Sequence, residues 1–273
     1  VKNQSPTVEQ VKEILNIVKE NTLKEVLHIS AIKENTSLYD SKFGGVPYLP
    51  KCSGLPVNED GQQLRLLSQI NFEDLPDNNI FPNEGILQFY VNDIYNMDLD
   101  NQTKQDNFRV IYYENIDLSI KEDDVIKKID DFESWNEDEE FPIQDEYKLE
   151  FEIAKEGITI QDYNFDKLFN NECNKSFINT IDDEVMDEIY DDDDEQKDGC
   201  TQHKLGGYPF FAQQDPREGE KSLRRFDTLL LQIDTEEDEG IVWGDCGICN
   251  FFINSEDLKN KDFSNVLFNW DCY

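Results

Sequence analysis

SKFGGVPYLP at residues 41–50 and HKLGGYPFFA at residues 203–212 decide the reading of this chain. Each has a lysine two residues ahead of a Gly-Gly pair, then a proline two residues after it. Paired glycines suit a turn that needs positive φ, and the proline fixes the direction of exit. Neither copy lies in a G-x-x-x-x-G-K or G-x-G-x-x-G setting, so neither reads as a phosphate loop.

Two further blocks repeat in the same order. LLSQIN (66–71) matches LLLQID (229–234), aligning Gln69 with Gln232 and Asn71 with Asp234. GILQFYVN (85–92) matches GICNFFIN (247–254), and the offset stays at 162 to 163 positions throughout. Self-similarity at one offset is the mark of a repeated structural unit. RVIYY and NVLFN form a weaker fourth pair. The expected architecture is α+β and mainly antiparallel β, an internally duplicated β-rich unit of two pseudo-two-fold lobes. An N-terminal helix and an acidic, partly helical insertion complete it.

The expected boundaries are a helical segment at 5–27, lobe one at 28–114, an acidic connecting region at 115–202 and lobe two at 203–273, together one domain over 1–273. Val8, Val11, Leu15 and Val18 recur at helical spacing, with Ser5, or Thr7 and Gln10, placed to cap. A second short helix is expected after Asn21, carrying Leu23, Val26 and Leu27. Strand patterns follow in VLHISAI, LRLLSQINF, GILQFYV, RVIYYE, KLEFEIA, TLLLQID, IVWG, GICNFFIN and VLFNWDCY. In LRLLSQINF, strict alternation puts Leu64, Leu66, Ser68, Ile70 and Phe72 on one face and Arg65, Leu67, Gln69 and Asn71 on the other. IDDEVMDEIYDDDDE contains a short helix ending in a charge run. Asp191 to Glu195 lacks the spacing and central glycine of a calcium loop.

The repeated blocks, with LLSQINFEDLP, WGDCGICNFFI and the closing FSNVLFNWDCY, resemble the YwqG-like family of uncharacterised proteins. The resemblance covers residues 26–273. It implies a mainly antiparallel β fold with flanking helices, and no activity, catalytic residue or cofactor comes with it.

Composition narrows the function. Formal charge is −36, from 61 acidic and 25 basic side chains, which disfavours nucleic acid and anionic membrane surfaces as partners. A basic protein or a small ligand fits better. Six cysteines in a chain of this length read as reduced thiols of a cytoplasmic protein.

No metal or cofactor is expected. Cys246-x-x-Cys249 offers half a zinc site or a redox pair, completed by Cys200, His203 or Cys272, but residues three apart on a strand face opposite ways. The candidate ligand groups are instead Gln69, Gln232, Asn71 and Asp234, with Lys42 and Lys204 beside the two turns. His203, Asp215, Arg217, Trp243 and Asp245 join them as places where the repeats diverge. His28 reads as a packed histidine. The leading expectation is a non-enzymatic binding or protein-interaction module with its site in the inter-lobe groove. The alternative is a hydrolase-like enzyme with a cleft near His203, Gln232 and Asp245, although no nucleophile motif such as G-x-S-x-G accompanies them.

Overall fold

The first helix, α1 (Val8–Asn21), starts at the Thr7–Gln10 capping box and buries Val11, Ile14, Leu15 and Val18. The computed structural model describes residues 5–96, 101–130, 132, 135, 140–176, 181–195 and 202–273. The short second helix expected after Asn21 does not form. Thr22 closes α1 by donating its hydroxyl to the Val18 carbonyl at 2.8 Å, and the chain passes straight into a strand. Leu23 is left exposed, so no apolar helix face exists for it to join.

Among the described residues, ten strands form one sheet: β1 (Lys24–Lys33), β2 (Lys42–Phe43), β3 (Arg65–Asn71), β4 (Ile86–Val91), β5 (Phe108–Tyr113), β6 (Tyr147–Glu156), β7 (Lys204–Gly206), β8 (Thr228–Asp234), β9 (Ile248–Ile253) and β10 (Val266–Asp271). Their order is β10-β9-β8-β7-β1-β6-β2-β3-β4-β5, and every registered pair is antiparallel. The two runs β2 to β5 and β7 to β10 are joined through the long central pair β1·β6. Strand β1 therefore pairs with β7, and β6 with β2. Phe43 lies opposite Tyr147, and Leu205 opposite Leu27.

The sheet curls until its ends meet. Phe108 of β5 and Phe268 of β10 have ring centroids 5.3 Å apart, and Phe268 N–H donates to the Gln102 carbonyl at 2.9 Å. Phe89 and Phe251 meet inside the curl at 4.9 Å. One continuous core fills this inner face, built from Leu27, Phe43, Leu67, Phe89, Leu231 and Phe251 among others.

The alternation expected for LRLLSQINF breaks midway. A bulge between Leu66 and Ser68 shifts the register by one, so Leu64 and Leu66 face outward while Leu67 and Ile70 face the inner core. Strand β8 has the same bulge between Leu229 and Leu231. Gln69 and Gln232 consequently lie on the outer face. IVWG is not a strand either: Ile241 makes only isolated bridges, to Ile143 and Glu236.

Helices cover the outside. Short α2 (Glu122–Ile126) supplies Val125 to an outer cluster with Tyr48, Leu66 and Tyr90. Helices α3 (Phe165–Ser176) and α4 (Asp183–Glu195) pack with α1 around Ile158 and Tyr208. The helix expected in the acidic segment is longer than its apolar part and continues to Glu195. Two more short helices, α5 (Pro216–Gly219) and α6 (Ser255–Lys259), flank the second run of strands. No helix among the described residues is long and apolar enough to cross a membrane.

Candidate functional site

Both Gly-Gly turns use consecutive left-handed residues: φ is +64° and +68° at Gly44 and Gly45, and +73° and +68° at Gly206 and Gly207. A side chain at Gly45 would run into Glu146, and one at Gly207 would come within 2.1 Å of Glu156 Oε1. Each turn is thus wrapped on a carboxylate, and a buried lysine sits beside each. Lys204 Nζ donates to Glu156 Oε1 at 2.9 Å and Oε2 at 3.1 Å. Lys42 Nζ donates instead to the Ser37 carbonyl at 2.7 Å and the Val46 carbonyl at 3.0 Å, and stands 3.8 Å from Glu146. Burial pushes the Lys42 ammonium down to about 8, opposed by the nearby Glu146 and Asp40 carboxylates.

The segment leaving each turn is gripped by two side-chain amides. Gln69 Oε1 accepts from Tyr48 N–H at 2.9 Å, and Gln88 Nε2 donates to the Tyr48 carbonyl at 2.7 Å. In the other half, Gln232 Oε1 accepts from Phe210 N–H at 2.8 Å and Asn250 Nδ2 donates to the Phe210 carbonyl at 2.8 Å. Gln69 and Gln88 are register partners, as are Gln232 and Asn250. Gln69 Nε2 also donates to the Leu38 and Asp40 carbonyls at 3.1 and 2.9 Å. Gln69→Leu, of similar shape, strands several buried backbone groups. It is expected to cost about 2 kcal/mol in urea unfolding with little change in m-value.

A groove opens beside each turn. One, of about 370 Å³, is lined by Lys24, Glu25, Ile80, Gly206, Gly207, Asp227, Thr228 and Leu229. The other, also about 370 Å³, is bounded by Gly45, Arg65, Gln144, Asp145 and Glu146, with Lys33, Glu34, Glu122 and the rings of Phe132 and Trp135. They occupy matching places: Arg65 opens β3 as Thr228 opens β8, and Gln144 and Asp145 precede Tyr147 as Lys24 and Glu25 precede Leu27. One wall set is largely apolar, the other heavily charged.

Residues 41–272, which include both Gly-Gly turns, match the family model described as Domain of unknown function (DUF1963). The chain belongs to the DUF1963 family. No curated protein matches it.

The remaining candidate residues of this DUF1963 chain fall in several places. His203 is fully buried; its Nδ1 accepts from Asp234 N–H at 2.9 Å, and its ring meets Phe43 edge-on at 5.1 Å. Nδ1 is therefore unprotonated in the neutral ring, which turns the Nε2 side toward Glu236 Oε1 at 3.4 Å. Contact with His203 lowers the Glu236 carboxyl from its usual range. Ser41 does the same work in the first half: its Oγ accepts from Asn71 N–H at 2.9 Å and donates to Asp74 at 2.8 Å. Asn71 caps the next turn by accepting from Glu73 N–H at 3.1 Å, and Asp234 accepts from Thr235 N–H at 2.8 Å.

Asp215 and Arg217 are buried together, and Trp243 is buried 6.4 Å from Trp270, centroid to centroid. Asp245 is exposed, in the turn before β9. Cys246 is exposed at φ +50°, its thiol directed to Glu237 at 3.3 Å, whereas Cys249 is enclosed in the inner core. Burial pushes the Cys249 thiol well up, and the hydrogen bond to Glu237 raises that of Cys246. Cys200 lies outside the described residues. The structure thus brings Lys204 and Gln232 opposite one another, and Lys42 and Gln69, each pair under its own turn. Sequence reasoning missed Ile80, Thr228, Glu25 and Glu156, none of which stands in a motif. The carboxylate could have been found by asking what neutralises a lysine fixed beside a Gly-Gly turn.

Proposed function

We propose that this chain is a non-catalytic binding module made of two copies of one β-rich unit, with its ligand site in the groove beside the second Gly-Gly turn. Matched turns, lysines, amide clamps and bulges support the duplication. In this reading the copies have exchanged their first strands, since β1 pairs with β7 and β6 with β2. The resemblance of the repeated blocks supports counting the chain among YwqG-like proteins. Reduced thiols, free at Cys52, Cys173, Cys246, Cys249 and Cys272, support a cytoplasmic setting.

One observation carries the functional reading. The groove of about 370 Å³ is walled by Ile80 from the first half and Thr228 and Leu229 from the second, over a floor of bare glycine backbone. Apolar walls with a few charged groups at the rim are the usual form of a small-ligand site. The hydrolase-like alternative near His203, Gln232 and Asp245 has less support. A general base must come within hydrogen-bond reach of its substrate's proton, and the His203 imidazole is fully enclosed with Nδ1 already engaged.

The test is amide chemical-shift mapping with a panel of small apolar and cationic fragments. Fragments that bind are expected to shift Gly206, Gly207 and Thr228. Thr228→Trp, which fills the groove at a strand position that tolerates an aromatic, is expected to weaken them at least ~10-fold while stability changes by about 0.5 kcal/mol or less. Shifts scattered over other surfaces, or none at millimolar ligand, overturn the assignment.

A further inference from the structure

The groove exists because a strand stops short. Strand β7 runs between β1 and β8, and it registers with β8 at Lys204↔Gln232. It follows β1 for longer, through Val26↔Gly206, and Gly207 N–H still donates to the Glu25 carbonyl at 3.0 Å. The double glycine then carries the chain out of the sheet. Strand β8 continues past this point to Thr228, where its registered partner is β9 alone. Neighbouring strands lie about 4.8 Å apart, so β1 and β8 stay separated by the width of one missing strand. The groove is that vacated position.

Resting on the binding reading above, we propose that the groove accepts an extended peptide that adds to the open side of β8 and carries a basic residue. A β-strand addition draws affinity from main-chain hydrogen bonds and specificity from alternate side chains. Three extended residues span about 10 Å, which suits a slot that runs alongside Thr228–Leu230. The walls, Ile80 and Leu229, fit β-branched side chains pointing into them. Ile80 is aimed into the slot: its Cδ1 lies 2.7 Å from where a Gly206 side chain would begin.

The charge preference comes from the rim. Glu25 and Asp227 flank the slot, held by Asn79 and by Ser255 respectively, so both carboxylates are fixed in place before any ligand arrives. Lys24, the lining cation, is folded over the Tyr208 ring at 4.2 Å. A formal charge of −36 adds a long-range pull on a cationic segment.

The experiment titrates full-length protein with acetyl-Val-Lys-Val-Thr-amide, with the same peptide N-methylated at its central amides, and with indole as a small apolar competitor. The expected result is amide shifts at Gly206, Gly207 and Thr228 through Leu230 with the unmodified peptide, weakened at least ~10-fold by N-methylation. Replacing its lysine by glutamate is expected to weaken it further at low salt. Equal binding of the N-methylated peptide overturns strand addition. If indole shifts those amides and the peptide does not, the peptide reading falls while the small-ligand reading stands. If neither shifts them, both fall.

Discussion

Arg217→Ala is expected to destabilise the fold by about 4 kcal/mol, lowering the melting temperature by on the order of 10 °C. The guanidinium is buried with two carboxylates. Its Nε and Nη2 hold Asp215 at 2.9 and 2.7 Å, its Nη2 reaches Asp162 at 3.3 Å, and its Nη1 donates to the Phe226 carbonyl at 3.1 Å. The plane rests on Phe252, 4.2 Å from the ring centroid, with Tyr163 at 4.7 Å. Removing it leaves two enclosed carboxylates facing one another, with the Lys24 ammonium still acting on Asp162 but none of the guanidinium's hydrogen bonds to either. Burial already raises the Asp162 carboxyl above its ordinary value, against the pull of Arg217.

The sign of the pH dependence follows. A carboxyl raised in the folded state binds protons there before the unfolded chain does, so its contribution to stability falls as pH rises through the window above 3.8. Without Arg217 that window extends upward. The deficit of the variant should therefore be smaller at pH 5 than at pH 8 in paired thermal melts. A deficit below about 1 kcal/mol, or one that does not vary with pH, would show that the cluster is not coupled as the geometry implies.

This cluster also marks where sequence reading stops. Asp215 and Arg217 stood out because QQDPR has no counterpart in the first repeat, and divergence from a repeat suggests a ligand. The side chain that completes the group, Asp162, lies 55 positions away in the loop before α3, and nothing in its local pattern announces it. The two Gly-Gly turns were legible for the opposite reason. Positive φ at consecutive residues can be served cheaply only by glycine, so the backbone requirement shows in the sequence itself. Face assignment in β3 was not legible, because a bulge adds one residue to the alternation without altering the composition. Nor was the pairing of β1 with β7 and of β6 with β2: either strand would satisfy its own hydrophobic pattern beside either neighbour, and only the full sheet order separates the two arrangements. The groove was hidden most completely, since it is made by a strand that ends early.

Glu156→Ala should cost about 4 kcal/mol and Glu146→Ala about 1 kcal/mol, although both carboxylates sit under a Gly-Gly turn beside a buried lysine. The difference lies in what else each ammonium has. Lys204 is fully enclosed, and its Nζ donates to both oxygens of Glu156, which also receives the Tyr208 N–H. Lys42 has carbonyls of Ser37 and Val46 at hydrogen-bond distance, with Glu146 farther off at 3.8 Å. Losing one carboxylate strands a buried charge in the second half and only weakens a long pair in the first. Replacing both partners in the second half, Lys204→Met with Glu156→Leu, should recover part of the loss, because no charge is then stranded although the Tyr208 N–H still loses its acceptor. Urea unfolding of Lys204→Met, Glu156→Leu and their double, beside Lys42→Met, Glu146→Leu and theirs, closes each cycle, with a coupling of about 2 to 3 kcal/mol expected for Lys204 and Glu156 and well under 1 kcal/mol for Lys42 and Glu146. Equal couplings in the two halves would mean that the turns, and not the ion pairs, hold the chain where it leaves the sheet. The groove beside Gly207 would then be expected to keep its shape in the Glu156→Ala protein.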